Sequence, residues 1–356
     1  MNRIRKKTLI FSIILGIFLI ICIFLYFWFF YVPEFREDFP DRFNEFEIQG
    51  LTWRSEAYFY NDFIYMLMYS EKNNYNFLSK ARNSGANYML IRAVYNSDSS
   101  GNLQGDDEQA RVYLSRAIKE ARKYDMKIFL TPFVESIEFF HPEFHWTDYE
   151  DKEVWILNKE DWEEKVLYWA EFAEENGVEL FAPGFEMSLI LDEEQAADFY
   201  KEIVPKIREV YNGKIVFAEI PYGEEFNYLN QEEVFQEFDC IGITAHPWKD
   251  YDGVHDLRGY LDLNDFIKMQ SEITNNLSKK YGTDCKIIAT FGIDDWYGGY
   301  PGSEIYAGGY NSGLDIFKKN NFTGVFLHLW ASEESHLGDK NDDVEKMLKK
   351  RWLVSN

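Results

Sequence analysis

Apolar residues along this chain fall into short runs separated by longer stretches of helical periodicity, and the two alternate through most of its 356 residues. Strand-like runs occupy about 47–53, 87–93, 127–133, 179–186, 214–220, 240–245, 285–291 and 323–330. Between them lie amphipathic segments, most clearly Asp107 to Lys123, Trp162 to Asn176, Glu193 to Tyr211 and Leu263 to Tyr281. In the second of these, Val166, Leu167, Trp169, Ala170 and Ala173 recur at helical spacing, while Glu163, Glu164, Glu171, Glu174 and Glu175 fill a solvated face. Asn176-Gly177, Asn212-Gly213 and Tyr281-Gly282 stand just before strands, as expected of a glycine beyond a helix C-terminus. Eight strand–helix units, with short connections before each strand and longer ones after it, predict a single (β/α)8 TIM barrel. A doubly wound sheet is the alternative, but it gives no common role to the polar residues that end so many strands.

The first 32 residues follow a different pattern. Asn2-Arg3-Ile4-Arg5-Lys6-Lys7 is basic, and no charged residue occurs from Leu9 to Val32. As a helix that stretch reaches about 36 Å, enough to cross a hydrocarbon core of roughly 30 Å. Its exit, Phe24-Leu25-Tyr26-Phe27-Trp28-Phe29-Phe30-Tyr31, is bulky and aromatic where a cleavable signal has small residues, which favours an uncleaved anchor over a signal peptide. Basic residues before the span, and Glu34, Glu37, Asp38 and Asp41 after it, place the N-terminus in the cytoplasm and the body outside. The expected organisation is a basic tail at 1–8, a transmembrane anchor at 9–32, a juxtamembrane segment at 33–46 and the barrel at 47–356.

The net charge of −24 argues against nucleic acid or an anionic membrane surface as a partner of the body, because such binding needs neutralising Lys and Arg. Aromatic residues make up 18% of the chain, which suits a well-filled core and equally a cleft whose Trp and Tyr faces stack on sugar rings. Cys22 lies in the apolar span, leaving Cys240 and Cys285, each following an Asp at the start of an apolar run. On neighbouring strands in register they would meet as a disulfide; two free buried thiols are the alternative. No cysteine or histidine spacing suggests a metal site, and no cofactor is expected.

The residues that end the eight runs are Trp53, Arg92, Glu135, Glu186, Glu219, His246, Phe291 and Trp330. A parallel barrel brings the C-terminal ends of its strands to one mouth. An Arg, a His, carboxylates and Trp gathered there suit a carbohydrate: hydroxyls need charged partners, ring faces need indoles, and the glycosidic bond needs a proton donor with a second carboxylate. Trp248 and Trp296, in the loops that follow two of the strands, join this candidate substrate-binding set.

Several of these segments resemble glycoside hydrolases of clan A, and most closely family 113, whose known members are β-mannanases. Gly50-Leu51-Thr52-Trp53 looks like that family's first strand, Ser84-Gly85-Ala86-Asn87-Tyr88-Met89-Leu90-Ile91-Arg92 its second, and Lys127-Ile128-Phe129-Leu130-Thr131-Pro132 its third. Trp169 to Phe181, leading into Gly184-Phe185-Glu186, matches the region where the family carries its general acid/base, and Gly324-Val325-Phe326-Leu327-His328-Leu329-Trp330 resembles the eighth strand with its sugar-stacking Trp. The resemblance implies a glycosidase acting on β-linked, mannan-type saccharides, with Glu186 as general acid/base, and the apolar run at 9–32 adds a membrane anchor.

It also implies a nucleophilic Glu at the end of the seventh strand, where Ala289-Thr290-Phe291-Gly292 aligns Phe291 with that position. Three readings follow. Asp294 or Asp295 supplies the second carboxylate; Glu219 supplies it; or hydrolysis is lost and the cleft binds glycan. A membrane-anchored scaffold using the barrel as a platform is the reading from another class. Gly292 to Gly309, rich in Gly and Tyr, reads as a long loop over the mouth.

Overall fold

The computed structural model describes residues 41, 45–52, 78–97, 102–105, 107–136, 158–187, 191, 193–219, 234, 237–245, 263–293, 303–328 and 342–353. The anchor at 9–32 and Trp53, His246, Trp248, Asp294, Asp295, Trp296 and Trp330 lie outside these residues, and of Glu135 only the backbone is described. Among the described residues no helix is long and apolar enough to cross a membrane.

The elements are β1 (Ile48–Thr52), β2 (Tyr88–Ser97), β3 (Leu103–Gln104), α1 (Asp107–Lys123), β4 (Lys127–Ser136), α2 (Lys159–Glu175), β5 (Leu180–Phe181), α3 (Glu193–Val210), β6 (Lys214–Glu219), β7 (Cys240–Ala245), α4 (Leu263–Tyr281), β8 (Cys285–Phe291), α5 (Ser303–Lys319), β9 (Gly324–Leu327) and α6 (Asp342–Trp352). Strands pair in the order β1-β9-β8-β7-β6-β5-β4-β2, and β2 returns to β1, closing a parallel eight-stranded barrel. β3 is an antiparallel addition on the end of β2. The expected (β/α)8 barrel is therefore the observed fold.

Helix ends follow local chemistry. Asn158 caps α2 by accepting from the amides of Glu160 and Asp161, so this helix begins at Lys159 rather than at Trp162. α1 carries Asp107 and Glu108 in its first turn and Arg122 and Lys123 in its last, complementing the helix dipole. One expectation fails: the segment read as a loop up to Gly309 is helical from Ser303. Its glycines argue against a helix on propensity alone, but packing overrides that cost. Tyr310, Leu314 and Phe317 are buried on one face, and a Cβ on Gly313 would stand 2.5 Å from the Phe291 ring.

Side chains alternate between two apolar layers. Ile48, Leu90, Phe129, Leu180, Val216, Ala218, Ala289 and Phe326 fill the barrel, whereas Met89, Ile91, Leu130, Phe181, Phe217 and Ile243 belong to the layer between strands and helices. Gly50 is required inside, since a Cβ there would come within 2.1 Å of the Phe326 ring. Cys240 and Cys285 are Cα partners on β7 and β8, and their sulfurs are bonded, with Cα atoms 4.6 Å apart. Of the two expectations for these cysteines, the disulfide holds.

Polar side chains tie the N-terminal face. Arg122 donates to both oxygens of Glu179, at 2.6 and 2.9 Å, and the Ile128 amide donates to the same carboxylate at 2.8 Å. Nearby, Arg351 on α6 donates through Nε to Glu45 at 2.8 Å and through Nη1 to Asp315 on α5, also at 2.8 Å. This clasp holds the segment that enters β1 against the last two helices.

Candidate active site

β5 is short because the chain leaves the ladder through Ala182-Pro183-Gly184-Phe185 and arrives at Glu186 with a left-handed backbone, φ 57°. For a residue with a Cβ that conformation costs about 1–2 kcal/mol and needs support from its surroundings. Support comes from the Glu186 amide, which donates to the carbonyl of Ala218 on β6 at 3.1 Å. Thr244 on β7 then donates from Oγ1 to Glu186 Oε1 at 2.6 Å.

Arg92, at the inward-facing level above Leu90, lies over the rings of Phe133 at 4.7 Å and Phe185 at 5.5 Å. Burial pushes the Glu186 carboxyl above the usual carboxylate range; the Thr244 hydrogen bond and the Arg92 charge pull the other way without cancelling it. Glu186 nevertheless keeps part of its surface open. A partly accessible carboxyl group with raised proton affinity at the C-terminal end of a barrel strand is what a general acid requires. Glu179, seven positions earlier, is instead held by Arg122 at the opposite end of the barrel.

Two sequence expectations change. In a parallel pair, registered residues share a face, and Glu219 pairs with Ile243, which belongs to the helix layer. Glu219 is fully buried there and accepts from the Tyr200 hydroxyl of α3 at 2.5 Å. It therefore stands behind the barrel wall and is not the partner of Glu186. Phe291 is also turned outward: it pairs with Ala245 of the helix layer and packs against Tyr310 and Phe317, with ring centroids 5.4 and 5.2 Å apart.

The cause is a register irregularity. β8 gains one residue against β7 between Ile243 and Thr244, which shifts the alternation and brings Thr290 into register with inward-facing Thr244. The side chain that the seventh barrel strand presents to the mouth is thus Thr290, not Phe291. Thr290 Oγ1 shares a hydrogen bond with His328 Nδ1 at 3.3 Å, at the end of β9. Thr244, which bonds Glu186, and Thr290 and His328, which bond each other on the neighbouring strands, were not singled out by the sequence pattern. Among the described residues no group of three or more His, Cys, Asp or Glu side chains is placed to hold a metal ion.

Comparison with known proteins agrees with this architecture. The model of Glycoside Hydrolase Family 113 matches residues 68–278. A solved family 113 β-1,4-mannanase is 16% identical, covering 86% of this chain and 98% of its own, with a TM-score of 0.58. The family 113 β-mannanase of Alicyclobacillus acidocaldarius, solved in complex with ManMIm, is 12% identical over 86% of this chain and 96% of its own, with a TM-score of 0.58. Subunit Z of the clostridial cellulose synthase from Clostridioides difficile is 15% identical over 85% and 99%, with a TM-score of 0.53. Comparison with curated protein sequences found no match. At these identities the solved structures establish the barrel, and the family model, matching more than half of the sequence and spanning Arg92, Glu186 and Thr244, establishes that this chain belongs to glycoside hydrolase family 113.

Proposed function

We propose that this protein is a membrane-anchored, extracytoplasmic glycoside hydrolase acting on β-linked, mannan-type oligo- or polysaccharides, with Glu186 protonating the glycosidic oxygen. The observation that carries the reading is the Glu186 carboxyl at the end of the fourth barrel strand, held by the Thr244 hydroxyl and pushed by burial toward a higher proton affinity than an ordinary carboxylate. The mannanase names of its structural relatives support the substrate class. Arg92 contributes a cation beside the acid, and Trp53, Glu135, His246, Trp248, Trp296 and Trp330 are the residues assigned to sugar contacts. Asp294 and Asp295, just beyond β8, are the carboxylate candidates for the second group. The apolar run at 9–32 is assigned to the membrane, with the barrel outside the cell.

Hydrolysis of β-1,4-linked manno-oligosaccharides by the full-length protein in detergent tests this reading. Glu186→Gln should lower kcat by about 10²–10⁴-fold, the usual contribution of a general acid. Wild-type turnover in Glu186→Gln would remove it from the reaction, and parallel Asp294→Asn and Asp295→Asn variants identify any carboxylate partner. A second reading, a glycan-binding barrel without hydrolysis, is favoured by one observation: the seventh strand presents Thr290 where a carboxylate nucleophile would be needed. Saturable oligosaccharide binding with no turnover in the parent protein would select it.

A further inference from the structure

We infer that one sector of the barrel's N-terminal face, where α4, α5 and α6 end, is a docking surface for anionic lipid headgroups that seats the barrel on the membrane with its mouth pointing away. This inference rests on the reading of residues 9–32 as a membrane anchor.

The helices of such a barrel run antiparallel to its strands, so each ends at the face where the next strand begins. Three consecutive helices end there on paired lysines: Lys279-Lys280 on α4, Lys318-Lys319 on α5 and Lys349-Lys350 on α6. All six side chains are exposed. Contacts across the face join the three ends. Lys286, in β8, donates to Asn275 Oδ1 of α4 at 2.6 Å and to the Asn320 carbonyl just beyond α5 at 2.7 Å. Glu45 meets Lys318 of α5 at 3.3 Å and Arg351 of α6 at 2.8 Å.

The helix dipole favours cations in every last turn, but elsewhere on this face carboxylates offset them. Arg122 and Lys123 of α1 pair with Glu179 and Glu120, Arg208 of α3 pairs with Asp239, and α2 ends on Glu174 and Glu175 with no basic residue in its last turn. The sector at α4, α5 and α6 sets Lys286, Arg351 and the six lysines against Glu45, Glu47, Asp284, Asp315 and Glu345, an excess of cations in a chain whose net charge is −24. Net charge opposes a membrane surface only where it is evenly spread, and here it is not.

The chain also reaches the body on this face. Residues 33–44 separate the apolar run from Glu45, and twelve residues span at most about 40 Å when fully extended. So short a tether holds the lysines at high effective concentration beside the bilayer. Attraction between ammonium groups and headgroup phosphates needs that closeness, because it is screened over about 8–10 Å at ordinary ionic strength. The barrel strands all run away from this face, so docking turns the end that carries Glu186 toward the medium.

The test places the full-length protein in nanodiscs of phosphatidylcholine, alone or with one third phosphatidylglycerol. Acetylation of each lysine by a water-soluble succinimidyl ester is followed by mass spectrometry. A surface potential of about −30 mV concentrates protons roughly threefold, so an amine docked there reacts about threefold more slowly. The paired lysines should show that slowing in the phosphatidylglycerol discs. Lys268, exposed near the other end of α4 and about 16 Å from Lys279 along the helix, should react at one rate in both. In about 1 M salt, where the screening length falls to about 3 Å, the slowing should vanish. Joint replacement by Lys279→Gln, Lys280→Gln, Lys319→Gln and Lys350→Gln should abolish it at Lys318 and Lys349 as well. Equal rates in the two discs, equal slowing at Lys268, or slowing that survives high salt overturns the inference. Failure of the anchor reading shows separately, as protein that stays out of the discs once detergent is removed, and the inference falls with it.

Discussion

Removing the Cys240–Cys285 bond should destabilise the barrel by about 4 kcal/mol without altering its mouth. The bond joins residues 45 apart in sequence, and confining a loop of that length in the unfolded chain removes about 13–14 cal/mol/K, or roughly 4 kcal/mol at 25 °C. A urea m-value of about 3 kcal/mol/M or more for a chain of this size converts that into a midpoint lower by roughly 1 M. The assay is equilibrium urea unfolding of wild type, Cys240→Ala, Cys285→Ala and the double variant, with and without reductant. Each single variant already breaks the bond, so the double variant should lose about as much as either single and not their sum. Wild type kept reduced through the transition should fall close to the double variant. Equal midpoints for wild type and double variant in oxidising buffer, or additive losses in the two singles, would refute the reasoning.

Glu186→Gln should stabilise the fold in a pH-dependent way. Burial raises the folded-state pKa of Glu186, so its favourable contribution is complete below the ordinary carboxylate pKa of about 4.3 and is lost as pH rises through the folded value. Thermal scans from acid to neutral pH should show the variant's advantage absent at the acid end and growing upward. Phe291→Glu should cost more than about 4 kcal/mol, since it deletes a packed ring and puts a carboxylate between Tyr310 and Phe317, whereas Thr290→Glu places the same group at the mouth and should cost under about 2 kcal/mol. Comparable stability of the two glutamate variants in urea would contradict the register. Arg351→Met should cost about 2 kcal/mol in the same assay, less than a fully buried pair because Lys318 also lies 3.3 Å from Glu45.

The barrel was legible because its two periods are written plainly: apolar runs such as 240–245 and amphipathic stretches such as Leu263 to Tyr281, which is the observed α4. Which way a side chain faces was less legible. Strands buried on both faces lose the apolar–polar alternation that would reveal orientation, so Glu219 at the end of β6 reads like a mouth residue although it faces Tyr200. A single added residue in β8 leaves no mark in composition, yet it exchanges the places of Thr290 and Phe291. Glu186 stood out as a charge closing an apolar run. Thr244 and Thr290 did not, because threonine is an ordinary strand residue. The helix from Ser303 was hidden by Gly308 and Gly309, which read as loop residues, whereas its burial comes from Tyr310, Leu314 and Phe317 further along.

The clasp between Glu45 and Arg351 also sets how mechanical load enters the fold. A pull on the chain ahead of residue 45 reaches this ion pair before it reaches β1, and the pair passes the force sideways into α6 and, through Asp315, into α5. Only after the clasp parts does tension act on β1, which is held by parallel ladders to β2 on one side and β9 on the other. Under tension applied along β1, the hydrogen bonds of those two ladders would be sheared together rather than peeled one at a time. The barrel thus meets extension with an early, reversible yield at the clasp and a later, stiffer resistance at its first strand.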